Sequence, residues 1–128
     1  MRKHVIAMLA VSLLCGSASA LAKDLSDDMD ALSGGYRTVM NTNDAAEMKK
    51  ALTDMRAAAE DAKTQTPDKL EGKAPDSPEI KDYHAGLDTL IGQIDATSKL
   101  VDAGNVAGAK EEAKKLADTR NENHKKFR

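Results

Sequence analysis

The sequence predicts an all-α protein, an antiparallel up-down-up-down bundle of four helices. Three observations lead there. Apolar residues recur at steps of three and four through four separate stretches. No stretch alternates in the manner of a strand. The three prolines, Pro67, Pro75 and Pro78, fall together in the middle of the chain, so the flanking stretches are free of helix breakers.

The first helix is expected from about Asp24 to Asn41, striped by Leu25, Met29, Leu32, Tyr36, Val39 and Met40. Gly34 and Gly35 interrupt it. Each costs roughly 1 kcal/mol relative to alanine, which predicts a soft turn within a helix that packing sustains. Asn41 to Asp44 is a short polar turn, and Asn43 or Asp44 caps the second helix. That helix runs to about Lys63, with Met48, Leu52, Met55, Ala59 and Ala62 facing inward. Thr64 to Ser77 is the one long connection. Ser77-Pro78-Glu79 then reads as a helix start, with serine at the cap and proline in the first turn. The third helix extends from about Pro78 to Asp102, striped by Ile80, Tyr83, Leu87, Ile91, Ile94 and Val101. Gly104 ends it by supplying a left-handed residue. The fourth helix carries Val106, Ala109, Ala113, Leu116 and Ala117, then Arg120, His124 and Phe127. Short turns between helices one and two, and three and four, make those pairs antiparallel neighbours.

Residues 1–22 read as an export signal. Arg2, Lys3 and His4 form a basic start. Val5 to Leu14 is an apolar run too short to span a bilayer. Ala18-Ser19-Ala20 and Ala20-Leu21-Ala22 both fit small-x-small cleavage. Cleavage after Ala22 is preferred, because Asp24-Leu25 then opens the first helix. A domain of residues 23–128 follows, placed in the periplasm and not inserted in a membrane once the signal is removed. Cys15, the only cysteine, lies within the signal. Leu14 stands where a lipoprotein signal has a small residue, so the mature chain is read as cysteine-free. No C-x-x-C-H occurs, which excludes covalent haem of the c type. The mature chain has 17 basic against 21 acidic residues. That balance argues against nucleic acid, which selects a basic face, and suits a monomer meeting protein partners briefly through charge.

Two residues carry possible chemistry. Met29 lies about one turn inside the first helix, and His124 about one turn inside the end of the fourth. In an antiparallel bundle these ends meet. Taken alone, Met29 reads as core packing. His124 alone reads as a terminal histidine favouring the negative end of the helix dipole. Together, at one bundle end and one depth, a thioether and an imidazole make the two axial ligands of a haem iron. Both axial positions would then be filled by protein, which suits electron transfer and not an enzyme. Other chemistries fare worse. A di-iron site wants Glu-x-x-His pairs, yet Lys81 and Asn121 stand three residues before His84 and His124. Zinc wants clustered His, Cys and carboxylates. No phosphate loop or H-E-x-x-H occurs. A haem-free structural bundle, or one handling copper through its methionines, stays open as the alternative.

The mature chain resembles the cytochrome b562 family, four-helix haem proteins of the periplasm. The resemblance rests on Asp24-Leu25-Ser26-Asp27-Asp28-Met29, Ala51 to Ala59 (ALTDMRAAA), Ser77-Pro78-Glu79, Ile91-Gly92-Gln93-Ile94-Asp95, and Thr119-Arg120-Asn121 through His124 to Lys126-Phe127-Arg128. It implies one non-covalent haem b per chain, held between Met29 and His124. It further implies that Leu32, Tyr36, Met55, Pro67, Tyr83, Arg120, Phe127 and Arg128 lie near the haem. Leu87 departs from the family pattern where an aromatic packs on the haem, and Asn123 where a tyrosine stands. Redox partners are not named by the sequence.

The export reading is checked by the mass of protein recovered from the periplasm. The expected N-terminus is Lys23, with Leu21 as the alternative. Protein retaining Met1 to Ala20 in that fraction would overturn it.

Overall fold

The computed structural model describes residues 24–127; the expected signal, 1–22, and Arg128 lie outside them. Four helices account for the architecture: α1 (Leu25–Asn41), α2 (Ala45–Ala62), α3 (Pro78–Asp102) and α4 (Val106–Phe127). They form the expected all-α bundle. α1 packs on α2, α2 on α3 and α3 on α4, and a less extensive contact between α1 and α4 closes the ring.

Each boundary has a chemical cause. Asp24 and Asp27 cap α1 reciprocally, each side chain accepting the other's backbone N–H. Asp44 accepts from the Ala46 N–H at the head of α2. Ser77 accepts from the Ile80 N–H, with Pro78 in the first turn of α3. At the other end of α3, Gly104 takes a φ of 79°. Its N–H donates to Val101 O, and the Asn105 N–H donates to Leu100 O at 2.8 Å. That is the Schellman closure. Asn105 then opens α4, its side chain accepting from the Gly108 N–H at 2.8 Å. The long connection is more ordered than expected. It carries a 3₁₀ turn, Asp68–Leu70, and Pro67 and Leu70 are buried.

The core is written in heptads. On α2, Met48, Ala51, Leu52, Met55, Ala58, Ala59 and Ala62 are buried; on α3, Ile80, Tyr83, Leu87, Leu90, Ile91, Ile94, Thr97 and Val101. These repeat every seven residues, the spacing of gently supercoiled antiparallel helices. Three ion pairs run alongside at the same spacing: Lys49–Asp102, Arg56–Asp95 and Lys63–Asp88, at 2.8, 2.8 and 2.6 Å. Arg56 meets Asp95 with two nitrogens. Each charged residue directly follows a buried one.

α1 differs from its predicted face. Its buried line is Asp28, Leu32 and Val39, with half-buried Gly35 between. Leu25, Met29, Tyr36 and Met40 are half-buried on one flank and pack against the core. The face is turned by about one residue from the predicted stripe. Gly35 explains the turn: a Cβ there would lie 2.9 Å from Met55 Sδ and closer still to Met55 Cγ. The missing side chain lets α1 settle onto α2. The two glycines make no break, and the helix runs through them unbroken.

The two glycines should therefore respond oppositely. A Cβ at Gly34 meets nothing within 4 Å, so Gly34→Ala should stabilise by up to about 1 kcal/mol. That corresponds to roughly 4–8 °C for a domain of this size. Gly35→Ala should instead cost about 1–3 kcal/mol by overpacking Met55. Thermal unfolding followed by circular dichroism reads both signs.

Candidate functional site

The end of the bundle where α1 begins and α4 finishes is built around Tyr83. This residue sits in the second turn of α3 and is only 6% exposed. Its hydroxyl donates to Ala62 O at 2.7 Å, which ties α3 to the last turn of α2. The Phe127 ring meets its ring edge-on, with centroids 5.5 Å apart, which ties in α4. His84 is half-buried, its ring tilted against Tyr83. Burial holds the Tyr83 phenol well above the usual tyrosine range, at about 12, and the nearby Asp28 carboxylate adds to the rise. Asp28 is itself fully buried. The only signal for Asp28's burial is its place four residues before Leu32 and eleven before Val39, on one helical face.

The ends of the four helices are not level. Lys63, at the C-cap of α2, pairs with Asp88. All of α3 before Asp88 therefore projects past the end of α2. The last turns of α4 lie beside this projection, through Tyr83–Phe127, Lys126–Asp82 at 3.6 Å, and Asn123 on Gly86. Met29 lies deeper. Gly35, six residues on, is level with Ala51 and Met55, near the middle of α2. So Met29 and His124 do not share one depth, as their distances from the helix ends suggested. The cause is helix length: α3 and α4 have 25 and 22 residues, against 17 and 18 in α1 and α2. His124 sits on the projection and is exposed, while Met29 is half-buried.

Rotation brings the two residues onto facing flanks. At about 100° per residue, Gly35 and Ala31 lie on the flank of α1 toward α2, beside Met55 and Ala51. Met29, Tyr36 and Met40 lie on the opposite flank, toward α1's other neighbour, α4. On α4, Thr119 donates to Gln93 and Asn123 packs on Gly86, so that flank meets α3. His124 lies on the flank toward α1, and Arg120, four residues on from Leu116 and seven from Ala113, continues the core-facing line. Helical side chains lean toward the N-terminus of their own helix. On antiparallel helices the deeper Met29 leans outward and the outer His124 leans inward, each toward the other.

The remaining candidates divide. Leu32, Met55, Pro67 and Tyr83 are buried; Tyr36, Arg120 and Phe127 are half-buried. Arg120 turns its guanidinium to Asn121, at 3.3–3.4 Å, and not to Glu122 or Asp118. Leu87 is buried in the core of α3. Arg128 lies outside the described residues. Met48 and Met55 are 0% and 2% exposed, which makes them core residues. An open polar groove along α1 and α2, past Thr38, Asn41, Glu47 and Asp54, contains none of the candidates. Among the described residues, no three His, Cys, Asp or Glu side chains are grouped to hold a bare metal ion. The donor set instead suits an iron that arrives in its own macrocycle: one soft thioether, one imidazole, and an apolar and aromatic lining from Leu32, Met55, Tyr83 and Phe127.

The comparisons agree in direction. The family model for cytochrome b562 matches residues 24–128. Two relatives from Yersinia pestis, "Probable soluble cytochrome b562 2" and "Probable soluble cytochrome b562 1", are each 41% identical over 128 residues, the whole of both chains.

Tyr83 gives the site a pH signature. Its phenol ionises near the ordinary value of about 10 when unfolded and at about 12 when folded. The raised value means the native state keeps the proton, so this stabilisation is complete below pH 10 and drains away as pH rises toward 12. The melting temperature of the cofactor-free protein should fall through that window. In Tyr83→Phe the fall should be shallower, and at neutral pH the loss of the buried hydroxyl contact should cost about 1 kcal/mol.

Proposed function

The chain belongs to the cytochrome b562 family, and on that premise we propose that it is a periplasmic electron carrier holding one non-covalent b-type haem per chain. Met29 supplies the thioether ligand and His124 the imidazole. What supports this reading is that Met29 and His124 stand on neighbouring antiparallel helices at the one bundle end ordered by Tyr83. A haem held there would supply one-electron ferric/ferrous chemistry.

The residues have distinct tasks. A thioether is a poor donor to ferric iron, so Met29 favours the reduced form and raises the potential relative to two imidazoles. With Met29 and His124 both committed to the iron, neither would leave room for a substrate there, which favours a carrier over an enzyme. Leu32, Met55, Tyr83 and Phe127 exclude water and lower the local dielectric. Arg120, one turn before His124, brings positive charge beside that ligand. Both ligands stand within helices, whose hydrogen-bonded backbones change little with charge state. No helix among the described residues is long and apolar enough to cross a membrane. A net acidic, monomeric carrier then meets its redox partners by transient charge contact. The copper reading is weakened by Met48, which is fully buried and reaches a metal only if the core opens.

Purified protein mixed with hemin should show a sharp Soret band and split visible bands on reduction. A methionine-to-iron charge-transfer band at the red end of the oxidised spectrum should vanish in Met29→Ala. His124→Ala should weaken hemin binding by more than the roughly tenfold to hundredfold typical of losing a residue that only orients a ligand. Unchanged hemin uptake and an unchanged reduced spectrum in His124→Ala would falsify the assignment.

A further inference from the structure

We propose that Gly86 and Asn123 form a latch that sets the rotation of the last turns of α4, and through it the direction in which His124 points. The proposal rests on the haem reading above and adds a positioning pair to it.

The seam between α3 and α4 has four kinds of contact near this end, one of them the exposed Lys126–Asp82 ion pair. Gln93 and Thr119 share a hydrogen bond of 2.8 Å, deeper in the bundle. Tyr83 and Phe127 meet edge to face at the tip. Between them, the half-buried Asn123 lays its amide over the bare Cα of Gly86. A Cβ on Gly86 would stand 2.8 Å from both Cγ and Nδ2 of Asn123, and closer still to Oδ1, whereas ordinary contact begins at 3.4 Å. The amide thus fills the volume that any larger residue at position 86 would claim. Aromatic rings in edge contact slide with little penalty, and long charged side chains such as Lys126 bend. Asn123 is short, and all three heavy atoms of its amide group lie within 2.8 Å of where that Cβ would stand.

Asn123 immediately precedes His124. Turning α4 far enough to free the amide therefore swings the imidazole with it. At a side-chain radius of about 5–6 Å, a retreat of about 1 Å corresponds to roughly 10° of helix rotation. Functional side chains tolerate displacements of about 0.5 Å, or 10–20°, before their geometry fails. The displacement a single methyl group forces at position 86 is thus of the size that matters to a ligand. Gly86 otherwise sits inside a helix, where alanine is the better helix former. A purely structural account predicts that Gly86→Ala is neutral or stabilising. The latch predicts that it costs ligation.

The test compares the wild type, Gly86→Ala, Asn123→Ala and the double variant. Hemin is the probe, titrated at the Soret band, with the ferric spectrum read for six-coordinate low-spin iron. The cofactor-free proteins are followed by melting and by the amide resonances of residues 120–127. Gly86→Ala should weaken hemin binding at least about tenfold and introduce a high-spin component, while its cofactor-free melting temperature is unchanged or raised. Removing the amide should relieve the clash, so the double variant should bind within about threefold of Asn123→Ala. Wild-type affinity and spectrum in Gly86→Ala, or no recovery in the double variant, overturns the latch. Should Gly86→Ala fail to fold, the double variant must fold and take up hemin; its failure overturns the latch as well. If the wild type itself takes up no hemin, the haem reading fails, and the resonances decide the latch separately. Gly86→Ala must then shift residues 120–127 and the double variant must shift them back; the absence of either movement overturns it.

Discussion

The register of α2 against α3 is the constraint on which the rest of the molecule depends. Two forces set it, and they differ in size. Burying Met48, Leu52, Met55 and Ile94 contributes on the order of 1.5–3 kcal/mol for each side chain, so the apolar face decides that these helices pack. The three ion pairs beside it have side chains 30–60% exposed, and such pairs are worth about 0–1 kcal/mol each. Their contribution is selective. A slip of three or four residues would separate all three pairs at once, while the apolar face would still find apolar neighbours.

That register has a consequence at the functional end. With Lys63 held to Asp88, the opening turns of α3 have no helix of α2 beside them. The 63–77 connection covers part of this surface with Pro67 and Leu70, and Tyr83 reaches back to the final carbonyl of α2. The rest is left to α4, which is long enough to follow α3 outward. A level-ended bundle would bury His124 or lose it to fraying. The uneven one places it on a shoulder formed by two packed helices, beside the deeper Met29.

The candidate ligands come from the first and last helices, whose contact is the least extensive of the four that close the ring. A group bridging them would therefore add most where the fold itself supplies least. Binding that bridges α1 and α4 stabilises the native state by mass action and ties the two ends of the domain together. α2 and α3 form the firm half of the bundle, while α1 and α4 carry the two candidate ligands.

Much of this was legible in the chain. Helix limits follow from forces that act within a few residues: Asp44 and Ser77 cap, Gly104 turns left-handed, and apolar steps of three and four mark the buried side. The joining of Met29 to His124 at one end followed from short turns and antiparallel order alone. Three features were not legible, and each is a matter of rotation or axial offset. α1 is turned so that Asp28 is buried and Leu25 is not, because Gly35 yields to Met55. α4 is seated by Asn123 on Gly86. α3 and α4 overrun α1 and α2 because they are longer, and the α2–α3 ion pairs place the excess of α3 at this end. A glycine leaves no mark in a hydrophobic pattern, and its effect depends on which side chain arrives opposite it. The sequence by itself determined which segments are helical and which residues could ligate. Only the tertiary structure decided how each helix is turned and how far it reaches, since those are set by contacts between residues far apart in the chain.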